Sequence, residues 1–167
     1  MVSGRTDNAQ VLRFEREALP YVNDLFRTAH AMMCNRAAAE AVVEETCLAA
    51  SRTFHRFTPG TNCRAWLFSA LFRTISQHRR KWFSTRVMLS VPDAAEPGTD
   101  EETLAAFRKI PQQFAEVVML ADVQEFTHTQ IQEILDIPID AVISRLRRGR
   151  QLLRMQMASH GAEVGIT

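Results

Sequence analysis

The stretch FTHTQIQEILDIPIDAVISRLRRGRQLLR, residues 126–154, decides how this chain is read. Thr127 and Gln130 stand three apart ahead of an apolar run, the spacing of a capping box in which the hydroxyl accepts from the Gln130 amide and the glutamine reaches back. The spacing predicts a short helix over Thr127–Leu135 that buries Ile131, Ile134 and Leu135. Asp136-Ile137-Pro138 is a tight connection, and a longer helix is predicted from Ile139 to Met157. Two helices across so brief a turn form a helix-turn-helix pattern.

Turn angles then divide the longer helix into two faces. At 100° per residue, Ile139, Val142, Leu146, Gly149 and Leu153 fall within about 80° of one another and form the stripe to be buried. Ser144, Arg147, Arg148 and Gln151 fall opposite, Arg145 and Arg150 on the flanks, and Ile143 at the boundary. A helix that presents serine, arginine and glutamine suits the major groove, because arginine can bridge guanine O6 and N7 while flanking arginines hold phosphates.

Outward from that stretch, residues 88–102 (MLSVPDAAEPGTDEE) carry two prolines, a glycine and a run of acids, which oppose both helix and core formation. A flexible linker over 87–102 therefore separates a domain at 10–86 from one at 103–160. Each is small enough to require tightly packed helices. Glycine and proline are scarce, six each among 167 residues, so the fold class is all-α, two small helical domains. In the first domain Pro20 opens a helix to about Met33, Asn35 caps a helix to about Phe54, Pro59-Gly60 turns, and Asn62 caps a third. On that third helix Leu67, Leu71, Ile75, His78 and Trp82 recur as one stripe. In the second domain Pro111 opens a helix through about Asp122.

Net charge is +1, from 20 basic and 19 acidic side chains, but the charges are segregated. Residues 73–86 hold Arg73, Arg79, Arg80, Lys81 and Arg86 without an acid, and 143–154 hold five arginines without an acid. Two basic blocks on periodic helices point to a polyanion partner. The stretch 64–83 interleaves Trp66, Phe68, Phe72, Trp82 and Phe83 with cations, a combination that suits single-stranded nucleic acid. Trp66, Phe68 and Phe72 are assigned to the core, leaving the basic end with Trp82 or Phe83 as the surface.

Cys34, Cys47 and Cys63 are odd in number and lack a CxxC pair, which fits a reduced, cytoplasmic protein. His30 and Cys34 stand four apart, but two ligands are too few for structural zinc, so no metal or other cofactor is expected. No signal peptide is evident, and the aliphatic stretch at Val117–Ala121 is too short for a bilayer, so no membrane insertion is expected. No nucleophile–base set or paired carboxylates stand at a usable spacing, so no catalytic residue is assigned.

The segments 14–30 (FEREALPYVNDLFRTAH), 35–68 (NRAAAEAVVEETCLAASRTFHRFTPGTNCRAWLF) and 120–154 resemble, in order and spacing, the extracytoplasmic-function (ECF) sigma factors of the sigma-70 family. The resemblance implies sigma region 2 at 10–86 and sigma region 4 at 103–160. It implies that Glu40, Glu44 and Glu45 dock on the β′ clamp helices of core RNA polymerase, and that region 4 meets the β flap. Ile143, Ser144, Arg145, Arg147, Arg148 and Arg150 would read the −35 element of duplex promoter DNA. Arg73, Thr74, Gln77, Arg79, Arg80 and Lys81 would hold the melted −10 strand. An anti-sigma factor is the implied regulator, in the manner of stress-response transcription.

The chain departs from the family pattern at four places. Arg73-Thr74 stands for Asn-Thr, Asp140-Ala141 for Gly-Thr, Glu125 for a glycine, and Glu44 for a glutamine. They leave open an alternative, a sigma-like decoy that binds an anti-sigma factor or polymerase without reading promoters.

Overall fold

The computed structural model describes the backbone of residues 3–85 and 101–164, and the side chains of residues 8–81 and 103–159. No strand occurs among the described residues. They fall into two compact units. The first holds helices α1 (Ser3–Ala18), most of α2 (Val22–Met33), α3 (Arg36–Thr53) and α4 (Cys63–Thr85). The second holds α5 (Glu101–Lys109), α6 (Gln112–Val118), α7 (His128–Leu135) and α8 (Ile139–Val164). Residues 86–100, with most of the expected linker, lie outside the described residues.

Two helices are additional to the sequence reading. Before Pro20 the chain already forms α1, and Pro20 sits in a single 3-10 turn, Leu19–Tyr21, ahead of α2. Proline is tolerated there because the first-turn N–H groups have no intrahelical partner. α5 begins at Glu101, inside the stretch assigned to the linker, and carries Arg108 and Lys109 in its last turn, where cations complement the helix dipole.

The first unit is centred on the packing of α3 against α4. Leu67, Phe68, Leu71 and Ile75 of α4 are fully buried, as is Val42 of α3. Each such aliphatic or aromatic side chain contributes about 1.5–3 kcal/mol of burial. Asn62 caps α4 as its position predicts, its Oδ1 accepting from the Ala65 amide at 3.0 Å. α3 ends one residue before Phe54, which enters a 3-10 turn and becomes the hub of an aromatic cluster. Phe14 meets it edge-on at 5.3 Å, Phe57 stacks at 5.3 Å and Trp66 approaches at 5.8 Å. The cluster joins α1 to the α3–α4 connection and accounts for Trp66 without invoking a nucleic-acid ligand.

The second unit is built around α8, against which α5, α6 and α7 all pack. α6 and α8 approach closely because residue 149 is glycine. A Cβ there would stand 2.6 Å from Val118 Cγ2 and 3.0 Å from the Phe114 carbonyl oxygen. α6 ends in a π turn, Met119–Val123, and Glu125 follows with φ of +55°. That is the left-handed region, at the position where the family pattern has glycine. The Phe126 amide then donates to Leu120 O at 2.9 Å, and buried Phe126 anchors the start of the helix-turn-helix.

Candidate nucleic-acid interface

The capping box at the head of α7 is complete. The Gln130 amide donates to Thr127 Oγ at 3.2 Å, and the Thr127 amide donates to Gln130 Oε1 at 2.9 Å. α7 stops at Asp136, whose left-handed φ of 52° reverses the chain into Pro138 and α8. Ile131, Ile134, Val142 and Leu146 are buried at the crossing of the two helices.

This packing leaves one side of α8 uncovered. Ser144, Arg147, Arg148 and Gln151 are all exposed, as are Ile143 and Arg150, while Arg145 is half-buried. Val142, Leu146 and Gly149 face inward, and Ile139 and Leu153 are partly covered. The division into faces derived from the turn angle is the one the fold adopts. Arg148 Nη1 donates to Gln151 Oε1 at 2.9 Å, so neighbouring members of the exposed face also orient each other. A groove of about 350 Å³ runs beside this face, lined by His128, Ile143, Leu146, Arg147, Arg150 and Arg154. His128 and Arg154 were not among the sequence-predicted site residues; the packing of α7 on α8 brings His128 there, and Arg154 follows Arg150 by one turn of α8.

Arg150 is engaged by its own unit. Its Nε donates to Asp122 Oδ2 at 2.9 Å and its Nη2 to Asp122 Oδ1 at 2.5 Å. That two-point hydrogen bond raises the Arg150 pKa further. The sequence pattern carries no sign of this pair, because the two residues are 28 apart.

On α4, Arg73, Gln77, Arg80 and Lys81 are exposed and Arg79 is half-buried. Positions 73, 77, 80 and 81 follow the 3.6-residue period, so their cations share one face. Thr74 does not join them. It is buried, and its hydroxyl donates to the Ala70 carbonyl at 3.0 Å. Its position with Leu67, Leu71 and His78, at steps of four, three and four, was the available signal that it belongs to the inward stripe. Trp82 and Phe83, assigned to the exposed end of this helix, lie outside the described side chains.

The comparisons with known proteins agree with this architecture. Sigma-70 region 2 matches residues 19–83 and Sigma-70, region 4 matches residues 100–153. The ECF RNA polymerase sigma factor EcfG of Rhodopseudomonas palustris is 30% identical over 134 residues, covering 75% of this chain and 74% of that protein. The chain belongs to the ECF sigma factors. A second relative, ECF RNA polymerase sigma factor SigE of Mycolicibacterium smegmatis, is 24% identical over 173 residues, 95% of this chain and 66% of the relative. Among solved structures, the sigma factor RpoE of Bartonella quintana, crystallised with the anti-sigma factor NepR, matches with a TM-score of 0.78 at 22% identity over 87% of this chain and 97% of RpoE. CnrH, solved with the cytosolic domain of CnrY, matches with a TM-score of 0.67 at 19% identity, over 87% of this chain and 88% of CnrH.

In this sigma factor the three acidic residues of α3 part company. Glu40 and Glu44 are exposed and, with Leu48 (50% exposed), lie four apart along one stripe. Glu40 accepts from Arg36 Nε at 2.9 Å across one turn. Glu45 is turned towards α4, where its Oε2 meets His78 Nε2 at 2.5 Å. The hydrogen bond from His78 holds its carboxyl below the usual carboxylate range, opposed by desolvation and aided by the charges of His78 and Lys81. Glu45 therefore ties α3 to α4 and is not a free member of the acidic face. Burial pushes the Cys47 and Cys63 thiols up, which disfavours the thiolate. Among the described residues no group of three or more His, Cys, Asp or Glu could hold a metal ion. No helix among them is long and apolar enough to cross a membrane.

Proposed function

We propose that this ECF sigma factor binds core RNA polymerase and directs promoter-specific transcription initiation under the control of an anti-sigma factor. The observation that carries the reading is the uncovered face of α8, where Ser144, Arg147, Arg148 and Gln151 project from a capped helix-turn-helix. Its chemistry suits a major groove, where an exposed arginine such as Arg148 can bridge guanine and its neighbours can meet phosphate. Arg73, Gln77, Arg80 and Lys81 offer a second cationic strip suited to a melted strand. Glu40 and Glu44, beside exposed Leu48, offer an acidic and partly apolar strip for the polymerase. Anti-sigma control is supported by the likeness to RpoE and CnrH, each solved with the partner named in its complex.

Asp140 favours a second reading. It is exposed in the first turn of α8, where a carboxylate suits the helix dipole but repels an approaching phosphate. On that basis the chain would be a decoy that occupies an anti-sigma factor or polymerase without reading DNA. Run-off transcription with core polymerase and a fragmented genomic template separates the two. Discrete transcripts that depend on the chain support the initiation factor, and their absence from every template leaves the decoy.

A further inference from the structure

The carboxylate of Asp122 stands beside the arginine-bearing side of α8. It grips Arg150 through two hydrogen bonds, at 2.9 and 2.5 Å, using the Nε/Nη2 edge of the guanidinium. Both side chains are about half exposed, at 48% and 38%. Exposed ion pairs contribute about 0–1 kcal/mol to stability, and two-point geometry puts this one towards the upper end, so the contact adds modestly to the fold. Its larger consequence is electrostatic. Arg150 also lines the groove with His128, Arg147 and Arg154, together with Ile143 and Leu146. Three arginines and a histidine around one groove form a seat for a phosphate, and no acid lines it.

We propose that Asp122 is a built-in competitor for this phosphate seat, which holds down indiscriminate binding of polyanions by the second unit. The inference rests on the proposed reading of duplex DNA by α8. A carboxylate and a phosphate make the same two-point contact with a guanidinium, so a phosphate reaching Arg150 must displace Asp122 or accept the free edge beside a like charge. Either route weakens a contact that any sequence could make. Contacts of Arg148 with base edges lie outside this competition, because Arg148 is joined to Gln151 instead. The pair therefore lowers sequence-independent affinity more than sequence-dependent affinity, and discrimination rises.

The test uses the full chain and a random-sequence DNA duplex, with affinity measured across a salt series. Asp122→Asn keeps the shape and an acceptor but removes the charge. It is expected to bind the duplex about 3- to 10-fold more tightly near 0.1 M salt, with a log–log salt slope steeper by up to about one. In an Arg150→Gln background the same change is expected to have little effect. Asp122→Glu, which retains the charge, should behave as the wild type, and circular dichroism checks that each variant is folded. Unchanged or weaker binding by folded Asp122→Asn would overturn the proposal, as would an equal gain in the Arg150→Gln background. A wild-type chain that binds no duplex also removes this inference, whereas the proposed function stands or falls separately on run-off transcription. Chain-dependent transcripts together with a neutral Asp122→Asn would sink the competitor alone.

Discussion

Replacing Gly149 by alanine sets two well-understood effects against each other, and the distances decide the winner. In an exposed helix interior, alanine is favoured over glycine by about 1 kcal/mol. At position 149 the new Cβ would lie 2.6 Å from Val118 Cγ2, 3.0 Å from Phe114 O and 3.3 Å from Phe114 Cβ. Carbon pairs are comfortable near 3.5–4.0 Å, so the first contact is short by about 1 Å. Val118 cannot swing aside cheaply, since a β-branched residue in a helix has one strongly preferred rotamer and this one is fully buried. The Phe114 carbonyl belongs to the backbone and moves only with α6. Overpacking of this kind costs about 1–3 kcal/mol, and a pinch from both sides belongs in the upper half of that range. Subtracting the propensity gain leaves a net loss of about 1–2 kcal/mol. Native-state hydrogen exchange reads it directly, as faster exchange of the amides of α6 and of the buried side of α8 around Leu146. Adding Val118→Ala should recover about 1 kcal/mol relative to the sum of the single changes, a coupling that a double-mutant cycle isolates. If Gly149→Ala instead slows exchange by the propensity amount, glycine is not there for close approach and the reasoning fails.

Thr127→Ala should lose about 1 kcal/mol in the second unit, because the Gln130 amide loses its acceptor; an unchanged urea midpoint would show that the capping box is dispensable. Glu125→Gly should stabilise the same unit by about 1 kcal/mol by relieving a left-handed backbone at φ +55°, which thermal melting would detect as a raised midpoint. Glu45 has a depressed pKa in the folded state, so its contribution is present above the ordinary carboxylate value of 4.5 and is lost as pH falls through the folded pKa. An acid titration of the first unit should therefore show Glu45→Gln less stable than wild type near neutrality, with the difference shrinking below about pH 4.5; a constant gap would show that the His78 contact is not what the acid disrupts. Arg148→Ala should cost about 1–3 kcal/mol of discrimination among −35 sequences if that side chain meets a base, and unchanged promoter preference would assign it to the backbone.

Much of the second unit was legible because its decisive signals are local. The inward stripe of α8, the Thr127–Gln130 box and the short turn before Pro138 all arise from spacings of three or four residues, which the geometry of a single helix fixes. The same logic places Arg73, Gln77, Arg80 and Lys81 on one exposed strip of α4. It misled where the reading followed a motif in place of the period. Thr74 was grouped with its neighbour Arg73, although one step along a helix rotates a side chain by about 100° and carries it into the core. Pro20 does not mark the start of helical structure, because a 3-10 turn absorbs it between α1 and α2.

The sequence alone thus determined the helical class, the faces of α4 and α8 and the helix-turn-helix, since each follows from a repeat along one element. The tertiary structure alone decided which of those exposed groups are already engaged. Glu45 meets His78 across 33 residues and Asp122 meets Arg150 across 28, and Gly149 acquires its role only when α6 comes to lie on it. No local spacing encodes such pairs, because the partner of a charge is set by which helices pack together, and packing is a property of the whole unit.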